Sequence, residues 1–267
     1  MELVDFDKCQ RLKGRGYHGN TGRKLAYLHD GSIWMVKFPG NSSSKANNPL
    51  NEYIGSHIYD ALGIPAQGTV LGKCQGKVVV GCRDLTDSGT LLEYSKIKNM
   101  MDDSLIMGNY GSSSKGERLG DALRVIETSE ELTGIRDEVR CRFWDMFVVD
   151  AFIGNNKRTN GDWGLLVKDG VPIPAPVFGN GNAFVAGESF FLDDNGEKLD
   201  PIAFMKEDDN PDLKRAVERF ASRVDMSKIC DLIAEIPESI CGLPVINEEQ
   251  RSIYIDMINN QERRIRT

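Results

Sequence analysis

The 267-residue chain is poor in the residues that usually betray a site. It has three histidines, none with a partner at metal-ligand spacing. Its six cysteines (Cys9, Cys74, Cys82, Cys141, Cys230 and Cys241) are scattered without a CxxC pair. Neither a zinc framework nor a disulfide scaffold is indicated, and buried free thiols are the better reading. No run approaches the roughly 18 consecutive apolar residues of a membrane span. The opening Met-Glu-Leu-Val-Asp-Phe-Asp-Lys holds neither the basic nor the apolar segment of a secretory leader. There is no basic excess either, and a net charge of −7 leaves no footprint for general nucleic-acid binding. The expectation is a cytoplasmic protein that meets neither membrane nor nucleic acid directly. Its length suits one or two domains with a full core.

What is present falls into two parts. Residues 17–20, 23–28 and 33–38 are short runs broken by Gly-Asn, Thr-Gly and His-Asp-Gly, which punctuate hairpins. A polar Ser/Asn loop over 41–48 leads into Asn48-Pro49, read as a helix cap and first helical position. Tyr53, Ile54, His57, Ile58 and Leu62 follow at helical spacing, and Gly63 stops the helix. Strands are expected over 68–72 and 77–82. Beyond them, 91–101, 121–127, 137–153, 211–223, 227–235 and 248–266 carry helical patterns, while 163–167 and 175–178 are strand-like. The stretch 137–153 is amphipathic and then almost wholly apolar, as a buried central helix is. The fold class is α+β and bilobal: a small β-rich N-lobe with one helix over 1–85, and a larger, mostly helical C-lobe over 86–267. This is the layout of a protein kinase.

The most informative stretch is Asp150-Ala-Phe-Ile-Gly-Asn-Asn-Lys157-Arg158-Thr-Asn-Gly-Asp162-Trp-Gly-Leu-Leu166. A helix end runs into a polar, Gly-punctuated loop in which amide, guanidinium and carboxylate groups crowd together. Such loops on rigid scaffolds are where chemistry usually sits. In the first part, Lys37 ends a predicted strand and Glu52 lies on the next helix. By spacing alone an edge lysine and an exposed helix charge describe them better. Gly19 and Gly22 permit close backbone approach to a phosphate but are as readily a simple turn. The run Val79-Val-Gly-Cys82-Arg-Asp84 fits an interlobe hinge or an ordinary buried strand.

These pieces, in this order, resemble the HipA-like kinases, and more closely their compact, single-chain relatives of the CtkA type. The resemblance covers most of residues 15–190. It rests on Gly19-Asn-Thr-Gly-Arg-Lys24, Trp34-Met-Val-Lys37-Phe-Pro and Asn51-Glu52-Tyr-Ile-Gly-Ser-His-Ile-Tyr-Asp-Ala-Leu-Gly-Ile-Pro65 in the small lobe. In the large lobe it rests on Ile153-Gly-Asn-Asn156, Asn160-Gly, Trp163-Gly-Leu-Leu166, Pro176-Val-Phe178 and Asn180-Gly-Asn-Ala-Phe184. It implies an ATP-binding cleft with Gly22, Lys37, Glu52, Cys82, Asn155 and Asn180 around the nucleotide, Lys37 paired to Glu52. It also implies Mg²⁺ as cofactor, and catalytic-loop positions at Lys157, Arg158 and Asp162. A protein substrate or regulatory protein is the implied partner besides nucleotide.

Four positions depart from that family pattern. Lys157 stands where the catalytic aspartate would be, and Thr159 where His or Asn is usual. Asp162 replaces the metal-binding asparagine, and Gly179 the principal metal-binding aspartate. Loss of the base removes the acceptor for the substrate hydroxyl proton, and loss of a metal carboxylate weakens neutralisation of the phosphates. Asp162 remains able to ligate Mg²⁺, since carboxylates suit hard cations. Three readings follow: a pseudokinase that keeps the fold, an active kinase with a rearranged site, or a different ATP-dependent transfer. Other features are read blandly. The serine runs at 42–44 and 112–114 are polar loops, Asp193-Asp194-Asn-Gly-Glu197 is a surface turn, His57 is a core residue, and Arg263-Arg264-Ile-Arg266 complements a helix dipole.

Overall fold

In the computed structural model, which describes residues 3–17, 22–41, 47–101, 116–185 and 189–267, six strands before residue 84 form one sheet. They are β1 (Leu3–Asp5), β2 (Gln10–Arg11), β3 (Lys24–His29), β4 (Ser32–Lys37), β5 (Thr69–Cys74) and β6 (Lys77–Arg83). Their order is β1-β5-β6-β4-β3-β2, with β1–β5 parallel and the other pairs antiparallel. Two tight hairpins build it. Asp30-Gly31 and Gln75-Gly76 each place both central residues in the left-handed region, at φ 49° and 71° and at φ 52° and 71°. That turn geometry matches the natural twist of paired strands. Gly72 and Gly81 leave a bare patch where the Phe6 ring lies, and Phe6 joins Val4, Tyr27, Val36 and Val79 in a small outer core.

The helix α1 (Asn48–Ala61) packs on β5 and β6. The cap position is Asn47 rather than Asn48, one residue earlier than the sequence suggests, and Pro49 sits in the first turn. Gly63, at φ 71°, follows the last turn as expected. Ile54, Ile58 and Tyr59 are wholly buried between the sheet and the helical remainder. Burial on both sides fixes α1 as the element shared by the two halves.

The remainder contains α2 (Tyr94–Met100), α3 (Leu119–Thr128), α4 (Arg136–Ile153), α5 (Pro201–Glu207), α6 (Pro211–Arg223), α7 (Met226–Ala234) and α8 (Glu248–Arg266). Strands β7 (Thr90–Glu93), β8 (Glu117–Arg118), β9 (Gly164–Lys168), β10 (Val171–Pro174), β11 (Phe191–Leu192), β12 (Ser239–Ile240) and β13 (Leu243–Pro244) are short additions. A three-stranded sheet, β10-β9-β7, lies wholly within this part. It corrects two expectations. The helix expected over 91–101 begins as β7, because Leu91 and Leu92 pair with Leu166 and Leu165. The strand expected over 175–178 is instead β10, set by the Asp169-Gly170 hairpin turn; Pro176 has no N–H for a ladder, and only Val177 makes a bridge, to Ala66. At the centre, α4 buries Phe143, Trp144, Phe147 and Phe152 against α5, α6 and α8. The result is a curled β-sheet N-lobe followed by a helical body.

Among the described residues no helix is long and apolar enough to cross a membrane. Gly19, most of the strand expected over 17–20, and the serine runs at 42–44 and 112–114 lie outside the described residues. The Asp193 turn is a plain one: its carboxylate accepts from the backbone amides of Asn195 and Glu197 at 2.9 and 2.8 Å.

Candidate functional site

Lys37, at the end of β4, and Glu52, on α1, meet as the resemblance implies. Lys37 Nζ lies 2.9 Å from Glu52 Oε2, with side-chain exposures of 16% and 4%. The other oxygen, Oε1, accepts from the backbone amides of Gly179 at 3.1 Å and Asn180 at 3.0 Å. One carboxylate thus ties a strand, a helix and the 178–180 segment together. Burial alone would raise the Glu52 carboxyl, but Lys37, the Asn180 amide and Arg158 outweigh it and hold it below the usual range. Burial likewise opposes charge on Lys37, yet its surroundings, Glu52 among them, push the amine above its usual value. Gly55 lets the segment approach α1 closely: a Cβ there would lie 2.8 Å from that of Asn180.

The loop that carries the implied catalytic positions is built on α4. Gly154, at φ 65°, ends the helix in the left-handed region and releases the loop 155–163. Arg158, 5% exposed, points inward rather than at the cleft. Its guanidinium grips Asp150 with two nitrogens, Nη2 to Oδ1 at 2.8 Å and Nε to Oδ2, and also donates to the carbonyls of Asp162 and Phe178 and to Asn180 Oδ1. Asp150 accepts further from Tyr59 Oη at 2.7 Å and Asn155 Nδ2 at 3.2 Å. On the other side of the loop, buried Glu117 accepts from Tyr94 Oη, Lys98 Nζ and Asn160 Nδ2. The loop is held from within by ions and amides that are fully partnered on the charged side, the arrangement buried charges require.

Against that frame, the four departing positions lie on the loop surface and the segment facing it. Lys157 is exposed. Asp162 Oδ2 accepts from the Thr159 backbone amide at 2.9 Å and Thr159 Oγ1 at 2.7 Å. Thr159 and Asp162 are therefore matched, because a carboxylate uses two donors there. Gly179, at φ 79°, abuts the same carboxylate: a Cβ at 179 would lie 2.9 Å from both Cβ and Oδ1 of Asp162. Real Cβ atoms do not sit that close, so Gly179 makes the room that Asp162 fills.

Several implied site residues occupy different roles in the geometry. Asn180 is wholly buried, its Oδ1 accepting from Arg158 at 2.6 Å and its Nδ2 donating to Ser56 Oγ at 3.0 Å, so its amide faces no ligand. Asn155 is 1% exposed and braces Asp150 and the Gly179 carbonyl, although its Oδ1 has no hydrogen-bond partner among the described residues. Cys82 is buried inside the sheet, its register partners being Met35 and Thr69, and burial pushes its thiol up to about 12. The hinge backbone is already used. Arg83 donates to Gly68 O at 2.8 Å and accepts from Gln67 Nε2 at 2.8 Å, and Asp84 donates to Ile33 O at 2.9 Å. The backbone groups at 83 and 84 are thus spent within the protein, as in the ordinary buried strand that was one of the two readings of 79–84. Gly22, at φ 66°, is where a Cβ would lie 3.0 Å from the Phe38 carbonyl oxygen.

Three features escaped the sequence. Asp150 is the hub for Arg158, and nothing local marks it. Asp84 Oδ2 accepts from Arg15 Nε at 2.7 Å and Tyr17 Oη at 2.6 Å, tethering the segment before Gly22 to the hinge across 67–69 residues. Lys24 is the direct register partner of Lys37. That last one was readable, because a two-residue turn at 30–31 fixes every pairing of the hairpin.

No family model matches the chain. It is 29% identical to the serine/threonine-protein kinase CtkA of Helicobacter pylori over 89% of this chain and 80% of that protein. The crystal structure of the H. pylori proinflammatory kinase CtkA superposes with a TM-score of 0.85 and 27% identity, covering 98% of this chain and 95% of that one. A Shewanella oneidensis chain from the HipA–HipB toxin–antitoxin complex with operator DNA matches at TM-score 0.57 and 13% identity, over 96% of this chain and 65% of that one, which speaks to fold alone. With its β-sheet lobe and helical body, this chain has the HipA/CtkA-like kinase fold and is a kinase-fold homologue of CtkA.

Proposed function

We propose that this protein binds ATP or a related nucleotide between its lobes, residues 1–85 above and 86–267 below, and that ordinary Ser/Thr phosphotransfer in it is strongly impaired. The assembled Lys37–Glu52–Gly179/Asn180 link supports retained binding, since it is the arrangement that positions a lysine for nucleotide phosphates. Lys157 supports impaired transfer. An ammonium at the general-base position cannot take the hydroxyl proton, and loss of a general base removes about 10²–10⁴-fold in rate. Surface recognition of a protein partner in the cytoplasm would then be the output.

Mg²⁺ fits this chain only in part. Among the described residues no group of three or more His, Cys, Asp or Glu side chains could hold a metal. Asn180 Oδ1 is taken by Arg158, which leaves the Asp162 carboxylate as the anionic donor beside Gly179. Since Mg²⁺ is often held by one or two carboxylates plus substrate phosphates, Asp162 suits an ion that arrives with the nucleotide. That ion would supply charge neutralisation at the phosphates. The space Gly179 opens for Asp162 favours a second reading, a rearranged but active kinase.

Calorimetric titration of ATP with and without Mg²⁺, beside a radiolabel assay of auto- and substrate phosphorylation, tests both. The expected result is nucleotide binding without appreciable transfer. Robust transfer abolished by Asp162→Ala would establish the second reading; absence of binding under every condition would refute both.

A further inference from the structure

The last helix, α8, touches three parts of the candidate site at once. Tyr254, 4% exposed, donates its hydroxyl to Asn51 Oδ1 at 2.6 Å, and Asn51 is the neighbour of Glu52 on α1. The Tyr254 ring stacks on Phe184, with centroids 4.6 Å apart and planes at 24°. One turn further along, Met257 covers Gly154, where a Cβ would run into its Cε. Phe184 is held against its preference: its φ is 58°, a region that bulky residues avoid, and its amide donates to Ile153 O at 2.9 Å. Such a backbone persists only where its surroundings fix it, and such places cluster at functional sites. The first turn of α1 has a matching need. Ile54, Ile58 and Tyr59 anchor the middle and end of that helix, whereas the Asn47 side chain does not cap its start. The leading amides of a helix have no partner within it, so the buried Asn51 contact is where this turn is tied to the helical body.

We infer that Tyr254 is a positioning residue through which α8 regulates the candidate site: its hydroxyl fixes the first turn of α1, and with it Glu52, while its ring fixes the segment that follows Asn180. The contacts close a circuit. Glu52 accepts from the Gly179 and Asn180 amides, Phe184 four residues on lies against the Tyr254 ring, and the Tyr254 hydroxyl returns to Asn51 beside Glu52. Gln250 Nε2, one turn earlier on α8, donates to Tyr254 Oη at 3.1 Å and so leaves the phenol proton for Asn51. A shift of α8 therefore reaches Lys37, which Glu52 holds at 2.9 Å. The consequence for ligand affinity rests on the nucleotide-binding reading above; the effect on Glu52 does not.

The test compares wild type, Tyr254→Phe, Asn51→Ala and the double change in the full chain. Tyr254→Phe keeps the ring and removes only the hydroxyl; Asn51→Ala removes the same bond from the other side and serves alone if the first variant does not fold. Amide hydrogen exchange without ligand reads the geometry. The Gly179 and Asn180 amides are expected to exchange about three- to tenfold faster in either variant, the size of one hydrogen bond, with α6 amides as in wild type. Calorimetry with ATP and with adenosine in Mg²⁺ reads the consequence: ATP should weaken by about the same factor and adenosine should not, because Lys37 serves the phosphates. The double change should do no more than the larger single one, since both remove one bond. Unaltered exchange at 179 and 180, or faster exchange throughout the chain, overturns the inference. So does an unchanged ATP affinity, or a loss that adenosine shares equally. If wild type binds neither ligand, the nucleotide reading falls, and the exchange result alone decides whether Tyr254 positions Glu52.

Discussion

The β4–α1 side of the candidate site (its upper wall) and the loop that faces it (its lower wall) compare differently with the pattern the family resemblance implies. The upper wall carries what the family resemblance implies: Lys37 on its strand, Glu52 on its helix and Gly22 at its turn. The lower wall keeps its interior, with Asp150, Asn155, Arg158 and Asn180 hydrogen-bonded together, and departs at the loop surface and the segment facing it, at Lys157, Thr159, Asp162 and Gly179. Buried charges must stay partnered or unfold the protein, whereas surface charges cost little to exchange. On the proposed reading, the scaffold and the chemistry of this fold are separable.

The largest effect should come from breaking the interior. Arg158→Ala leaves Asp150 buried without its main cation and strips the Phe178, Asp162 and Asn180 oxygens of a donor. A loss of about 3–5 kcal/mol is expected, seen as a melting temperature lower by on the order of 10 °C. Lys157→Ala, on the surface of the same loop, should move stability by no more than about 0.5 kcal/mol. Similar losses for the two would erase the distinction between the walls.

Restoring the chemistry sharpens it next. Lys157→Asp with Gly179→Asp would be the direct repair by sequence, but a side chain at 179 collides with the Asp162 carboxylate. Asparagine at 162 keeps the same shape and relieves only the repulsion between two carboxylates, so the triple change Lys157→Asp, Asp162→Asn, Gly179→Asp is expected to raise phosphotransfer by about 10²-fold or more, measured as radiolabel incorporation, and the double change to fall short of it. Equal recovery in the two would show that Gly179 and Asp162 are independent.

A smaller effect tests the upper wall. Glu52→Gln should destabilise the protein at neutral pH by about 1–3 kcal/mol, the penalty of leaving buried donors poorly matched. The folded carboxyl is held below its ordinary value, so its stabilisation is complete above the unfolded pKa near 4.3 and fades as pH falls through the lower folded value. The gap between wild type and Glu52→Gln in denaturant melts should shrink accordingly below about pH 4. A gap independent of pH would deny Glu52 its charge.

Much of this was legible in the chain itself. The hairpin at Asp30-Gly31, the stop at Gly63, and the helices over 211–223 and 248–266 follow local chemistry and appear as read. β7 did not, because its leucines fit a helix and only pairing with β9 decides otherwise. β1 and α5 are too short for a periodic signal. At the site, the Lys37–Glu52 meeting was read through resemblance, while the inward turn of Arg158 and Asn180 was not. Polar residues in a Gly-rich loop look alike in sequence whether they face a ligand or each other. What separates them is burial, and burial is decided by α4, α1 and the 178–180 segment together.

The contact between Gly179 and Asp162 also sets what position 179 can become. Its φ of 79° lies where side chains are strained, and a Cβ there would sit 2.9 Å from the Asp162 Cβ. Any residue other than glycine at 179 therefore moves the loop that carries Asp162, and through the Asp162 carbonyl it disturbs Arg158 as well. The missing β-carbon of Gly179 acts as a spacer between the two segments.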